Sequence, residues 1–345
     1  MKEVDYDQIW NQLKTEAEGK QQKVLVKRLV FSSEWTELHL AVDSEGLKRY
    51  LLVRMPDNWD KDTSSMPKWT GAIIGSMTGA ERPIEHRFLV IEQGAGSSTE
   101  VFEALTSDIC NSVSQPEVRD ILSVLISRLE RWKYFFEEHG LGGLSPESQQ
   151  GLFGELYFLR DYLIPALGLS QAILSWNITR RANHDFQVGD HAIEIKTSSA
   201  KQHLKFHVAS ERQLDTKGLG SLHVAVINLT VIQGGGETLP QMVADVRSKL
   251  SEYPSTLRIF EDKLIDEGYL DIHGRDYRNG YTVTALKTYE IREGFPRILP
   301  EDLKEGVGDV TYSVVLSSCQ DFRVDTEKAL NFLSNFNSQR KEHES

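Results

Sequence analysis

Two acidic residues and a lysine in one short stretch are the residues best able to do chemistry. Asp185 lies shortly before the dipeptide Gly189-Asp190, and Glu194 and Lys196 lie shortly after it. Carboxylate oxygens are ligands that Mg²⁺ prefers, and a lysine ammonium can reach a phosphate or a metal-bound water. The residue types therefore indicate a divalent-cation site beside a group that can hold a phosphate.

The spacing of these residues predicts a β-hairpin. Gly189-Asp190 is typical of a two-residue turn, and alternating sequence flanks it on both sides. If the turn sets the register, residue 188 pairs with 191, 186 with 193 and 185 with 194. Asp185 would then stand opposite Glu194 with Cβ atoms about 5 Å apart, where like charges destabilise a sheet unless a cation compensates.

The same alternation assigns the hairpin residues to two faces. One face carries the polar set Asp185, Gln187, Glu194 and Lys196 together with Ala192, and the other carries Phe186, Val188, Ile193 and Ile195.

A third carboxylate, Glu155, is predicted to lie on a helix before this hairpin. Ser145 and Pro146 are typical of an N-cap and a first helical residue, and the helix continues through GLFGELYFLRDYL. Glu155 falls at the edge of an apolar stripe formed by Leu152, Leu156, Leu159 and Leu163. Gly151 and Gly154 would let that side of the helix approach a strand or a substrate backbone closely.

The order of Glu155, Asp185 and the Glu194-Ile195-Lys196 triplet resembles the PD-(D/E)XK nuclease superfamily. It is more closely similar to the bacterial PD-(D/E)XK motif proteins found among phage-defence genes. The resemblance continues through Ser210, Gln213 and Leu214 and through Phe295-Pro296-Arg297-Ile298. One departure is His184, which stands where the name of the motif has a proline that supplies no metal ligand.

The resemblance implies a restriction-endonuclease-like core that hydrolyses phosphodiester bonds, with DNA as the expected substrate. Asp185 and Glu194 would bind Mg²⁺, for which Mn²⁺ could substitute, and Glu155 would help to hold the site. Lys196 would position or activate a water molecule. The metal would lower the pKa of its water and neutralise the charge that develops on the phosphate.

Further polar side chains follow the hairpin. Gln202, His203 and Lys205, with His207 after them, would either contact the substrate backbone or face water.

The pattern of the whole chain predicts an α/β fold in two parts. A β-rich N-terminal region, residues 1–140, has strands at 23–30, 38–42, 49–55, 71–77 and 87–93 and ends in helices at Thr99–Val113 and Pro116–Glu138. The segment HGLGGLSP at 139–146 indicates a domain boundary. We expect a recognition or docking role for the first region and a nuclease-like mixed sheet flanked by helices in residues 145–345.

In this second domain the expected strands are at 184–188, 191–197, 204–209, 222–229, 281–291 and 310–316, and the expected helices are at 239–250, 257–267 and 325–336.

Composition limits the functions that this chain can have. Its net charge of −12 argues against a protein that coats nucleic acid through bulk electrostatics, although an acidic body can carry a local basic groove. Two distant cysteines, a polar N-terminus and no apolar run of about 18 to 20 residues lead us to expect a soluble cytoplasmic protein.

Two other interpretations of the polar set stay open at this point. The charged residues would form a structural ion-pair cluster if they bound no metal. The second interpretation is that the chain is a non-catalytic binding or scaffolding subunit that works with a partner such as an ATPase or helicase of a defence system.

Overall fold

The computed structural model describes residues 4–81, 84–115, 118–177, 184–199 and 205–331. It has a mixed α/β fold that divides into two compact units between Gly143 and Leu144. Within the described residues, no helix combines the length and apolar character that a membrane span requires.

The first unit contains a five-stranded antiparallel sheet and three helices. The strands are β1 (Leu25–Ser32), β2 (Glu37–Asp43), β3 (Arg49–Met55), β4 (Ala72–Glu81) and β5 (Ile84–Gln93), in the order β1-β2-β3-β5-β4. The helices are α1 (Tyr6–Glu18), α2 (Thr99–Val113) and α3 (Ile121–Glu138). Helix α1 was not expected, and it buries Trp10, Leu13 and Ala17.

The expected start of α3 at Pro116 is wrong. The helix begins at Ile121, because the Asp120 side chain accepts a hydrogen bond from the Ser123 backbone at 3.1 Å and caps the helix there.

The second unit contains a mixed sheet, a two-stranded sheet and further helices. Its strands are β6 (Phe186–Val188), β7 (His191–Ser198), β8 (Lys205–Val208), β9 (Ser221–Gln233), β10 (Glu237–Thr238), β11 (Asn279–Glu290), β12 (Tyr312–Val315) and β13 (Arg323–Val324). Its helices are α4 (Pro146–Phe158), α5 (Ile164–Leu167), α6 (Leu169–Ser175), α7 (Leu239–Leu250), α8 (Pro254–Asp266) and α9 (Thr326–Ala329). A π-helical turn, Leu159–Leu163, joins α4 to α5, and 3₁₀ turns cover Asp271–His273, Pro300–Asp302 and Leu316–Phe322.

The mixed sheet has the order β10-β11-β9-β7-β6, and β13 pairs with β11. Strands β7 and β9 are parallel, whereas the other pairs are antiparallel. Strand β8 pairs with β12 in the small sheet. The last expected helix, at 325–336, is described only as far as α9, because residues from 332 onward lie outside the described residues.

Strands β7 and β9 lie between two hydrophobic cores. Ile193 and Ile195 of β7 join one core with α4 and α7, while Ala192 joins the other core with Phe206 of β8. Residues 222–227 of β9 are buried on both faces, which explains the nearly continuous apolar sequence of this part of the strand. The strand that carries Glu194 and Lys196 is therefore fixed from both sides.

Helix α4 approaches β7 closely at Gly154. A Cβ atom built on Gly154 would overlap the Cγ2 atom of Thr197, so only glycine fits this contact. Gly151, the other glycine expected to permit close approach, has open space at the same position.

Candidate active site

Strand β7 places Glu194 and Lys196 on the same face, because side chains two residues apart in a strand point in the same direction. Glu194 is 1% exposed. The Nζ atom of Lys196 lies 2.7 Å from Oε1 of Glu194, and the lysine side chain is 17% exposed. The two residues form a buried ion pair rather than a solvated pair at a sheet edge.

Gln213 fixes both members of this pair through its side-chain amide. Its Nε2 donates a hydrogen bond to Oε1 of Glu194 at 2.5 Å, and its Oε1 accepts one from Nζ of Lys196 at 3.1 Å. The backbone N–H of Ala209 donates to the same Gln213 oxygen at 2.9 Å. The sequence predicted no role for Gln213, because it lies in a turn distant in sequence from β7 and no periodic pattern connects the two.

The segment that carries Gln213 is held by a residue near the end of the chain. Arg297 donates a hydrogen bond from Nη1 to the backbone oxygen of Leu214 at 2.6 Å. The Phe295-Pro296-Arg297-Ile298 segment therefore supports the site indirectly.

The second carboxylate oxygen of Glu194, Oε2, is buried and has no hydrogen-bond partner within the described part of the chain. Leaving a buried polar group unpaired costs about 1–3 kcal/mol, and more for a charged group. A bound cation would satisfy this oxygen.

The expected pairing of Asp185 across the hairpin with Glu194 is wrong. The turn does set the predicted register, since Val188 pairs with His191 and Phe186 with Ile193, but the ladder stops at Phe186. The backbone oxygen of Asp185 accepts a hydrogen bond from the Asn177 N–H at 2.7 Å, so this peptide group pairs with the segment after α6 and not with β7.

The Asp185 side chain nevertheless contacts β7. Its Oδ2 accepts a hydrogen bond from the backbone N–H of Ile195 at 2.6 Å. Asp185 therefore reaches the strand that bears Glu194 through its carboxylate instead of through a cross-strand pair.

Glu155 lies on α4, partly buried, with its side chain held by a tryptophan. The indole Nε1 of Trp176 donates a hydrogen bond to Oε2 of Glu155 at 2.8 Å. Trp176 follows α6 and is fully buried. No sequence pattern indicates this contact, because the π-helical turn and two short helices separate Glu155 from Trp176.

Burial raises the pKa of each of the three carboxyl groups, and like charges add to this shift for Glu194 and Glu155. Burial followed by the Asp185 charge raises the pKa of Glu194 to about 8. The same two causes, with further contributions from Glu267 and Glu194, raise the pKa of Glu155 well above its ordinary range. Burial raises the pKa of Asp185, although Lys196 and the Ile195 N–H oppose this shift.

The residue directly after helix α8, Glu267, is a fourth carboxylate of this group that the sequence analysis did not identify. Burial and then the charge of Asp185 raise the pKa of Glu267, which follows this helix, to about 7. One turn earlier, Lys263 donates a hydrogen bond to the backbone oxygen of Trp176, and burial lowers the pKa of this lysine to about 8.

Two of the remaining expected site residues are described and are not part of this group. Lys205 and His207 lie on the exposed face of β8. Gln202 and His203 lie outside the described residues. His184, at the position of the motif's proline, is buried, and burial lowers its pKa.

The donor atoms fit a hard cation that takes few protein ligands. No three histidine, cysteine, aspartate or glutamate side chains in the described ranges are grouped closely enough to hold a metal by themselves. Mg²⁺ usually takes one or two carboxylates and completes its shell with water and substrate phosphate oxygens. The unpaired Oε2 of Glu194 and the neighbouring Asp185 carboxylate match that requirement.

Comparison with known proteins gives one match. The model of a family described as "Putative PD-(D/E)XK family member, (DUF4420)" matches residues 6–317. Neither a curated protein nor a solved structure matches the chain. Since the match covers both units almost completely, the chain belongs to this PD-(D/E)XK nuclease-like family.

Proposed function

We propose that this protein is a metal-dependent endonuclease that hydrolyses phosphodiester bonds of DNA in a bacterial restriction or phage-defence system. The proposal rests on the environment of the Glu194 carboxylate. Glu194 is 1% exposed, one oxygen of its carboxylate is bound by Lys196 and Gln213, and the other has no partner among the described residues. An unpaired carboxylate oxygen beside the negative charge of Asp185 is suited to bind a cation.

Asp185 and Glu194 would hold Mg²⁺ or Mn²⁺, with Glu155 as a further carboxylate. When bound, the ion would polarise a phosphate oxygen and lower the pKa of a coordinated water. Gln213 would keep Glu194 in one orientation, because its amide donates to the carboxylate and is itself fixed by Ala209.

Lys196 would position or activate the attacking water through the one donor that the described residues leave to it. Its ammonium has three donors, of which one reaches Glu194 and another reaches Gln213. In the reaction a water oxygen forms a bond to phosphorus, one ester P–O bond breaks, and the leaving oxygen takes a proton.

The acidic charge of the protein bears on how it would reach DNA. A net charge of −12 provides no bulk attraction to a phosphate backbone. We propose that a protein partner such as an ATPase or helicase contributes part of the affinity. The same charge favours the second candidate function, a non-catalytic subunit that acts through such partners.

The first test is cleavage of plasmid and linear DNA by the purified protein in Mg²⁺, Mn²⁺ or EDTA. We expect cleavage with either metal, none in EDTA, and a loss to background in Asp185→Ala and Lys196→Ala. Asp190→Ala is the matched control, because this aspartate lies in the same hairpin with its side chain 65% exposed. Cleavage should persist in that variant.

No cleavage by the wild-type protein in any metal would contradict the nuclease proposal for the isolated protein and favour the non-catalytic subunit. Cleavage that survives in Asp185→Ala would exclude this group of residues as the active site.

A further inference from the structure

Trp176 connects a carboxylate of the candidate site to the surrounding structure. The indole is fully buried, and its Nε1 donates to Oε2 of Glu155 at 2.8 Å. The ring packs against Phe260 of α8, with ring centroids 6.0 Å apart. A buried indole N–H is stabilised by an acceptor, and the acceptor of Trp176 is the Glu155 carboxylate.

Asn177, the residue after Trp176, binds the backbone of the segment that carries Asp185. The backbone N–H of Asn177 donates to the backbone oxygen of Asp185 at 2.7 Å, and its side-chain amide donates to the backbone oxygen of His184 at 3.3 Å. Trp176 itself forms a β-bridge with Phe186. The dipeptide Trp176-Asn177 therefore contacts both Glu155 and the segment that bears Asp185.

Helix α8 fixes this dipeptide from a third direction. The ammonium of Lys263 donates to the backbone oxygen of Trp176 and lies 6.0 Å from the centre of the indole ring. An ammonium above an aromatic face is attracted to its π electrons. These contacts fix the backbone and the ring of Trp176, so its N–H points at Glu155.

We propose that Trp176 is a positioning residue that fixes the carboxylate of Glu155 and thereby raises the affinity of the site for its divalent cation. The inference rests on the proposed metal site. Groups that hydrogen-bond to metal-binding carboxylates set the orientation of the ligand, and their loss typically weakens metal binding by about 10- to 100-fold.

The direct test is Mn²⁺ binding to the full chain, measured by isothermal titration calorimetry without substrate. Trp176→Phe keeps the aromatic ring and removes only the N–H donor. We expect its Kd for Mn²⁺ to rise by about 10-fold or more. Trp132→Phe is the matched control, because Trp132 is buried in the first unit and its Nε1 donates to Asp108 at 2.8 Å. Its Kd should equal that of the wild type.

A spectroscopic measurement tests the contact between Trp176 and Glu155 independently of whether the Trp176→Phe variant folds. The protein has six tryptophans, which give six indole N–H resonances after ¹⁵N labelling. We expect the Trp176 resonance to shift when Mg²⁺ is added to the wild-type protein, and the same resonance to be displaced in Glu155→Gln. This measurement does not require Trp176→Phe to fold.

The outcomes separate this inference from the proposed function. Wild-type binding with an unchanged Kd in folded Trp176→Phe would overturn the positioning role and leave the metal site intact. Wild-type binding without a shift of any indole resonance would also overturn it. A wild-type protein that binds neither Mn²⁺ nor Mg²⁺ would overturn the proposed metal site, and the positioning role with it.

Discussion

The environment of Glu194 determines how this residue responds to pH. A carboxylate with 1% exposure loses the water that would stabilise its charge, and the charge of Asp185 adds repulsion. Lys196 and Gln213 offset only part of this cost. The folded protein therefore keeps a proton on Glu194 at a pH where the unfolded chain has released it.

We expect the free energy of unfolding in EDTA to decrease as the pH rises from about 5 to about 8. The pKa of Glu194 is about 8 in the folded protein, against an ordinary value of 4.5. Between these values the folded state binds more protons, so stability falls with rising pH and the loss is complete above the folded pKa. Glu194→Gln should make this slope shallower, as measured by urea unfolding at several pH values.

The control for this experiment is Glu252→Gln, because Glu252 is exposed after α7. Its slope should match that of the wild type. Equal slopes in Glu194→Gln and the wild type would show that Glu194 is ionised in the folded protein over this pH range.

Residue-level predictions from the sequence were correct where alternation governs the side chain. Glu194 and Lys196 share a face because both lie inside one strand. The expected cross-strand pair of Asp185 with Glu194 is not formed, because the hairpin ladder stops at Phe186 and the backbone oxygen of Asp185 pairs with Asn177. Gln213 and Trp176 reach the carboxylates through tertiary packing, which no local pattern records.

At the scale of elements, turn chemistry and periodicity carried the most information. Gly189 has a φ of +61°, a conformation that suits glycine in a two-residue turn, and the turn fixed the hairpin register as expected. Helix α7 matches its predicted range, Leu239–Leu250. Helix α1 was missed because only Trp10, Leu13 and Ala17 mark its buried face in a largely polar segment.

The contact between α4 and β7 should make Gly154 intolerant of substitution. Gly154→Ala would force a methyl group into Thr197, and overpacking of this kind typically costs about 1–3 kcal/mol. Gly151→Ala, on the same helix with open space around it, should be neutral or stabilising by up to about 1 kcal/mol. Urea unfolding of both variants measures the difference.

A second substitution identifies the cause of the loss. Thr197→Ser removes the methyl group that Gly154→Ala would meet and keeps the hydroxyl that accepts a hydrogen bond from Gln150 at 3.1 Å. We expect the double variant to recover part of the lost stability. A Gly154→Ala variant as stable as Gly151→Ala would show that the helix moves away without cost.

At the scale of the whole molecule, we propose that residues 139–143 separate two independently folding domains. The segment has no helix or strand, Leu141 is 41% exposed, and Gly140 and Gly143 have positive φ angles. The second unit has its own two cores. These are properties of an exposed boundary that a protease can enter.

Limited proteolysis with chymotrypsin tests this boundary. We expect the first cut after Leu141, giving two stable fragments that mass spectrometry can identify. Leu141→Gly should delay this cut without changing the circular dichroism spectrum. A first cut inside either unit would contradict the proposed boundary.

The ion pair between Lys196 and Glu194 bears on the order of folding and cation binding. The lysine ammonium is a counter-ion encoded in the chain itself, and with Gln213 it already satisfies Oε1 of Glu194. Oε2 of the same carboxylate has no partner within the described residues and stays available to an external ligand. Small metallo-domains such as zinc fingers fold only with their metal, because metal binding supplies their free energy of folding. In this chain a lysine and a glutamine already hold the carboxylate, so we expect folding to need no metal and the proposed cation to bind afterwards, as a separate step.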